Sequence, residues 1–292
     1  MLGVRPTGSG YLPRMRTTRS VTLVSSAVLV SLALVLGACG DDSDTDTGDG
    51  TTVPSEATAT PPAGLVSTDA LTVCSDTPYE PFEFEGDDGE QTGYDIDILR
   101  AIADDADLDL DVKDLPFDGI LATLAAGECD VVASAVTITT ERAEQVDFSD
   151  PYFDADQSLL VKSDEADEYA TLASLAGERI GVQAGTTGET YANEHKPEGA
   201  TVVSFEDADG MFAAIASGDV TALLQDLPVN AYRATKDATL KVTETFSTGE
   251  QYGYAVEKGN ASVLDFINDG LATLTDDGRF EEIYATYFGE SK

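Results

Sequence analysis

The chain has 292 residues, with 55 acids against 16 bases, one histidine and a formal net charge of −39. That surplus of negative charge argues against nucleic-acid partners and polybasic lipid binding. Hydrophobic residues make up 42% of the chain, enough for a real core, so global disorder is excluded.

Residues 1–38 read as a secretory signal. Arg5, Arg14, Arg16 and Arg19 precede an apolar run from Val21 to Leu36, and small residues follow. The run is short for a spanning helix, and no 18-residue apolar stretch follows residue 40. Leu36-Gly37-Ala38-Cys39 resembles the lipobox of bacterial lipoproteins. In that group the leader is cut before the cysteine, which then carries the lipid. A plain signal peptide with an incidental Cys39 is the alternative. Residues 40–65 are mostly Asp, Thr, Ser, Gly and Pro, the composition of a flexible acidic tether. Residues 1–38 contain four Arg and no acid, so 55 acids face 12 bases from Cys39 onward, a net charge near −43. Such a field favours cationic solutes in a general way, and it also makes a solubilising surface.

Leu71 to Ser75 reads as the first strand, and Asp76-Thr77-Pro78-Tyr79-Glu80-Pro81 leaves it as a turn. Phe82-Glu83-Phe84 is a short strand before the turn Gly86-Asp87-Asp88-Gly89. Ile96, Leu99, Ile102 and Ala103 have helical spacing, so a helix is expected over about 95–106. A half-buried strand follows over 108–115, then a helix carrying Ile120, Leu121 and Leu124 that Gly127 stops. Asp130 to Val136 reads as a buried parallel strand. Thr139 or Thr140 can cap a helix that opens with Glu141-Arg142-Ala143-Glu144. The result is a β-α-β-α-β doubly wound unit. From about Ser158 a second, smaller α/β unit is expected. It has strands at 179–183, 201–205 and 220–224, and helices near 189, over 211–217 and after Pro228. A strand over 251–257, a long amphipathic helix through Val263, Phe266, Ile267, Leu271 and Leu274, and a last helix close the chain. Cys74 ends one expected strand and Cys129 opens another, leaving a disulfide and two separate thiols both open. Their spacing fits no metal site.

Five motifs occur in order: PFEFE (81–85), GYDIDIL (93–99), FDGIL (117–121), GECDVVASAVTITTERAEQVDFSDPYF (127–153) and GTTGE (185–189). Together they resemble the family 3 extracellular solute-binding proteins, the amino-acid receptors of ABC importers. The resemblance covers roughly residues 70–290. It implies an α/β, two-lobed periplasmic-binding-protein fold (type II, Venus-flytrap), each lobe a mainly parallel sheet flanked by helices. Lobe 1 is then 66–155 plus 254–292, and lobe 2 is 156–253. Two strands cross between the lobes, near 154–160 and 249–255. The partners implied are an L-amino acid, an ABC permease and, through Cys39, the outer face of the cell membrane. A monomer without cofactor or metal is expected.

An amino acid needs fixed donors for its carboxylate, a charged acceptor for its ammonium and a selective pocket for its side chain. Arg142, in a helix's first turn near the carboxyl end of a strand, can grip a carboxylate through two parallel hydrogen bonds. An ordinary arginine paired with Glu141 or Asp147 is the bland alternative. Backbone donors at Thr137 and at the Thr186-Thr187 turn could assist. Asp226 ends a strand and is placed either to accept the ammonium or to cap the helix after it. The resemblance assigns the ligand roles to Arg142 and Asp226. It makes Tyr79 and Phe117 the pocket walls, where core packing is the alternative. It makes Asp76 and Asp95 the side-chain readers, as in relatives that take basic amino acids. Ser134, Ala135, Gln183 and Thr187 fall at positions that bind or shape the ligand in relatives. Gln183 and Thr187 depart from the usual residues there, which leaves the ligand's identity open between polar and cationic. His195, in a polar loop-like run, reads as a surface residue, so no Ser/His/Asp set is expected. A cyclohexadienyl-dehydratase-like enzyme, with Glu80 as acid, and a sensory ligand-binding module are the other readings of this fold.

Overall fold

A computed structural model describes residues 59–289. The expected signal segment, Cys39 and residues 40–58 of the tether lie outside the described residues. Residues 59–65, read from composition as the tether's end, instead touch the folded body. The Ala59 amide donates to Asp105 O at 2.8 Å, Ala63 N donates to Ser262 Oγ at 2.9 Å, and Leu65 packs on the core.

In chain order the elements are β1 (Ala70–Ser75), the hairpin β2 (Phe84–Glu85) and β3 (Gln91–Thr92), α1 (Tyr94–Asp104), β4 (Asp109–Asp114), α2 (Ile120–Ala125), β5 (Val131–Val132), α3 (Thr140–Gln145), β6 (Val146–Phe148) and β7 (Phe153–Lys162). After a 3₁₀ turn at Leu172–Leu175 come β8 (Arg179–Gln183), α4 (Thr187–His195), β9 (Thr201–Phe205), α5 (Ala208–Ser217), β10 (Ala222–Asp226), α6 (Leu227–Lys236), β11 (Leu240–Tyr252), β12 (Ala255–Glu257), α7 (Ala261–Asp277) and α8 (Arg279–Phe288).

They form two sheets. The first runs β4-β1-β5-β12-β6, and only β12 opposes the other strands. The second runs β11-β7-β10-β8-β9, and only β7 is reversed. Each is mainly parallel and flanked by helices, so the chain folds as two α/β lobes. β7 and β11 form the ribbon of the second sheet that leads back to the first. They pair antiparallel from Leu240↔Lys162 to Tyr252↔Phe153, where Tyr152 N also donates to Tyr252 O at 3.1 Å.

Strands β5 and β11 differ most from the sequence expectation, while β2 and β10 are each displaced toward the C-terminus by one or two residues. The strand expected from Asp130 to Val136 stops at Val132, because the backbone turns out of the ladder and Ala135 takes a left-handed φ of 45°. β11 is 13 residues long, where only its last residues were expected to be strand. Its side chains are mostly half-exposed Thr, Glu, Lys and Ser, so no apolar alternation marks it. Gly253 then separates β11 from β12, and a Cβ there would lie 2.8 Å from Ile138 Cδ1.

The last two helices return to the first sheet's side. Arg279 grips both Asp105 oxygens at 2.9 and 2.6 Å, tying α8 to the end of α1. Tyr94, Phe82, Phe153, Tyr252 and Phe288 form an aromatic cluster where the crossover ribbon meets these helices. Phe82 lies edge-on to Phe153 at 5.0 Å and to Tyr252 at 5.2 Å, and Tyr94 meets Phe288 at 5.4 Å. Cys74 and Cys129 are joined by a disulfide with Cα atoms 5.9 Å apart, behind α2 and β5.

The bridge closes a long loop, with a sequence separation of 55 residues. Limiting the unfolded chain that way is worth about 2–4 kcal/mol. The double variant Cys74→Ala/Cys129→Ala should therefore unfold in urea with stability lower by about that much. An unchanged midpoint would show that the cross-link adds nothing.

Candidate functional site

The parallel strands β1 and β5 and the turn after β4 deliver their following residues to one edge of the first sheet. Asp76 follows β1, Phe117 follows β4, and Ser134, Ala135 and Thr137 follow β5. The second sheet brings Gln183 at the end of β8, Thr186 and Thr187 at the start of α4, and Asp226 at the end of β10. Tyr79 and Arg142 complete the lining of a narrow cavity. Eleven of the twelve candidate ligand residues line it.

The twelfth does not. Asp95 is fully buried behind the wall, where its Oδ2 accepts Ala135 N at 2.9 Å and Tyr152 Oη at 2.7 Å. It was expected to read a ligand side chain. The left-handed Ala135 stands between it and the cavity, so Asp95 supports the wall instead. Glu80 does not reach the cavity either. It lines a separate crevice with Pro78, Phe212 and Arg233. His195 is stacked on Tyr191 at 4.1 Å, away from the cavity.

Arg142 is held by a helix start. Thr139 caps α3, its Oγ1 accepting Arg142 N at 3.1 Å, so the arginine sits in the first turn. Its Nη1 donates to Thr137 O at 2.9 Å and its Nη2 to Gly185 O at 3.0 Å. The guanidinium also lies 5.2 Å from the centre of the Phe117 ring. Neither Glu141 nor Asp147 forms an ion pair with it; Asp147 pairs with Lys258 at 2.7 Å. Burial lowers the Arg142 pKa, opposed by Asp226, Glu250 and Glu141, yet an arginine stays charged at neutral pH. It is the only basic residue in the cavity lining among the described residues.

Asp226 occupies the N-cap position of α6 without any side-chain cap bond. Its carboxylate is used otherwise. Tyr252 Oη donates to Oδ2 at 2.5 Å and Tyr79 Oη at 2.9 Å, while Gln157 Nε2 donates to Oδ1 at 2.5 Å. Burial raises its pKa, and the Tyr252, Tyr79 and Gln157 donors work against that rise. Gln157 Nε2 also reaches Glu250 at 2.9 Å and Thr187 Oγ1 at 3.2 Å, and Thr187 Oγ1 donates to Glu250 at 3.0 Å. Gln157, Glu250 and Tyr252 were not named from sequence. They lie on β7 and β11, within the stretches 154–160 and 249–255 that the resemblance implied as crossover strands. Only their places on paired crossover strands could have marked them.

Asp76 receives Gln183 Nε2 at 2.5 Å across the two sheets, and its own amide donates to Ser134 Oγ at 3.1 Å. Thr186 caps α4, accepting Glu189 N at 3.1 Å, and Thr137 Oγ1 lies 3.4 Å from Thr187 Oγ1. Burial pushes the Asp76 carboxyl up to about 6, with Asp114, Asp207 and Glu206 adding to the rise. A carboxyl raised in the folded state contributes stability below its unfolded pKa, and that contribution is lost as pH rises through about 6. Asp76→Asn should therefore raise the melting temperature at pH 8 more than at pH 5. An equal effect at both pH values would show that Asp76 ionises at its ordinary pKa.

Chemically, the cavity offers one guanidinium, two carboxylates, two aromatic rings and small hydroxyls. The family profile described as bacterial extracellular solute-binding proteins, family 3, matches residues 71–290. The chain is 32% identical over 213 residues to the L-cystine-binding protein TcyJ of Escherichia coli (strain K12), covering 72% of this chain and 79% of that one. It is 32% identical over 215 residues to the ABC transporter arginine-binding protein 1 of the same organism, covering 72% and 87%. Among solved structures, an ancestral amino acid-binding protein described as a precursor of cyclohexadienyl dehydratase superposes with a TM-score of 0.71 and 36% identity, covering 75% of this chain and 96% of that one.

Proposed function

Because the chain belongs to the bacterial extracellular solute-binding proteins of family 3, we propose that it binds one polar or cationic L-amino acid between its lobes and delivers it to an ABC permease. The observation that carries this is the placement of Arg142 and Asp226 in one cavity lining, reached from different sheets. A free amino acid has one carboxylate and one ammonium, and each needs a charged partner when desolvated. In this reading Arg142 turns its guanidinium from the Thr137 and Gly185 carbonyls to the ligand carboxylate. The Thr137 and Thr187 amides assist it. Asp226 takes the ammonium. Phe117 and Tyr79 flank the side chain, Ser134, Ala135 and Thr186 shape its slot, and Asp76 with Gln183 meets its end. Asp76 is a second carboxylate against one guanidinium, which favours a cationic or hydrogen-bonding side chain over an acidic one. Charge-assisted contacts of this kind are worth about 1.5–3 kcal/mol each.

One ligand touching both lobes stabilises the closed form of a hinged pair, and the closed form is what a permease can recognise. The lobes of this reading are residues 66–155 with 254–292, and 156–253. A monomer tethered to the outer face of the membrane through a lipidated Cys39, after loss of residues 1–38, completes the proposal. The second reading, a dehydratase, is favoured by the likeness to the ancestral precursor. The absence of Glu80 from the cavity lining weakens it.

The test is thermal shift of the chain lacking residues 1–39 against the twenty L-amino acids, ornithine and citrulline, with calorimetry on any hit. A ligand at a hundred times its dissociation constant adds about 2.7 kcal/mol, visible as several degrees. A shift confined to one chemical group is expected. No shift, together with turnover of prephenate or arogenate, would replace this reading with the enzyme. Arg142→Ala should abolish binding of every amino acid while the protein still melts cooperatively, and retained micromolar binding would remove the carboxylate role. Asp76→Asn should weaken L-arginine more than L-glutamine, and equal losses would make Asp76 a purely structural group.

A further inference from the structure

Two buried acids stand behind the cavity wall, and the binding reading uses neither. Glu83 and Asp95 are both fully buried. They hold consecutive residues of the wall. Ser134 Oγ donates to Glu83 Oε1 at 3.0 Å, and Ala135 N donates to Asp95 Oδ2 at 2.9 Å. The remaining oxygen of each, Glu83 Oε2 and Asp95 Oδ1, is buried without a hydrogen-bond partner among the described residues. The titratable groups that face the pair are Asp76, Asp226, Tyr79, Tyr94, Tyr152, Tyr252 and Tyr254, with Asp97 beyond Tyr254. None of these is a cation. Two bare carboxylates cannot share such a place, because like charges in a low-dielectric site hold at least one proton between them.

We propose that Glu83 Oε2 and Asp95 Oδ1 share one proton, and that this acid–carboxylate pair is a positioning element that sets Ser134 and Ala135 in the cavity wall. The donors decide which partner is the acid. Asp95 Oδ2 receives two donors, Ala135 N and Tyr152 Oη, so Asp95 is the better-stabilised anion. Glu83 receives one hydroxyl, so it carries the proton. The anion then holds Ala135 in its left-handed bend, a conformation that a residue with a Cβ rarely keeps without support. The acid fixes Ser134, whose Oγ in turn accepts the Asp76 amide. Burial pushes both carboxyls up, and the neighbouring Asp95 charge raises Glu83 further. Deprotonation of the pair at higher pH therefore disturbs Ser134, Ala135 and Asp76 together.

The test uses the ¹³C- and ¹⁵N-labelled protein without added ligand, followed by NMR from pH 4 to 9. One glutamate carboxyl carbon should stay protonated through neutral pH, be assigned to Glu83 by its loss in Glu83→Gln, and titrate at least one pH unit lower in Asp95→Asn. The Ala135 amide signal should move with the same midpoint as that carboxyl. A Glu83 carboxyl that titrates in the ordinary range, or identically in Asp95→Asn, would overturn the shared proton. An Ala135 amide that ignores the transition would overturn the positioning role. A further arm rests on the binding reading above. L-arginine affinity should fall at least threefold as pH rises through the Glu83 midpoint in the parent, and stay flat in Glu83→Gln. If no amino acid binds at all, that reading fails while the NMR result still decides the pair.

Discussion

The structure turns on the Asp226 carboxylate. Three donors converge on it from separate parts of the chain: Tyr79 from the turn after β1, Gln157 from β7 and Tyr252 from the end of β11. A buried carboxylate must be satisfied or neutralised, so these donors are obligatory rather than decorative. Because they belong to both lobes and to the ribbon that joins them, satisfying one group fixes the spacing of all three. Tyr252 carries this inward, since its ring also packs against Phe82 and Phe153 in the aromatic cluster. The same residue thus completes the core and points its hydroxyl into the site.

Much of this arrangement was legible in the sequence because strand ends are legible. Asp76, Ser134, Gln183 and Asp226 each follow or end a short apolar run, and in an open α/β sheet such ends converge. Arg142 was readable from its capping threonine. What failed were features set by backbone direction and by partners distant in sequence. Asp95, in the first turn of α1, looked as well placed as Asp76, and only the bend at Ala135 puts it behind the wall. Glu83 sits in a motif read for its family likeness, and nothing local told that its side chain is buried. β11 is a polar strand half open to solvent, and its pairing with β7 rather than its composition makes it a strand. Glu250 and Gln157 enter the site only through that pairing.

The site is also short of positive charge. Asp76 and Asp226 line the cavity, Glu250 and Asp118 line the adjoining pocket that shares Phe117 and Arg142 with it, and Arg142 is the only guanidinium in either lining among the described residues. Burial is the first cause of the raised carboxyl pKa values, and like charges add to it: Asp114, Asp207 and Glu206 at Asp76, and Glu250 at Asp226. A strongly acidic protein body adds a background field of the same sign, although salt screens it beyond about 8–10 Å. Short-range donors therefore control the site more than net charge does.

The return of α7 and α8 to the first sheet has a mechanical consequence. The Ala59 amide donates to the Asp105 carbonyl beside α1, and Arg279 at the start of α8 grips the carboxylate of the same residue. Both ends of the described chain thus leave from one lobe, and the other lobe is attached only through β7, β11 and the contacts across the cleft. A pull between the two ends would load α1, α7 and α8 and bypass the crossover ribbon. A handle or surface attachment at either end therefore bears on the first sheet's side and leaves the second sheet without it.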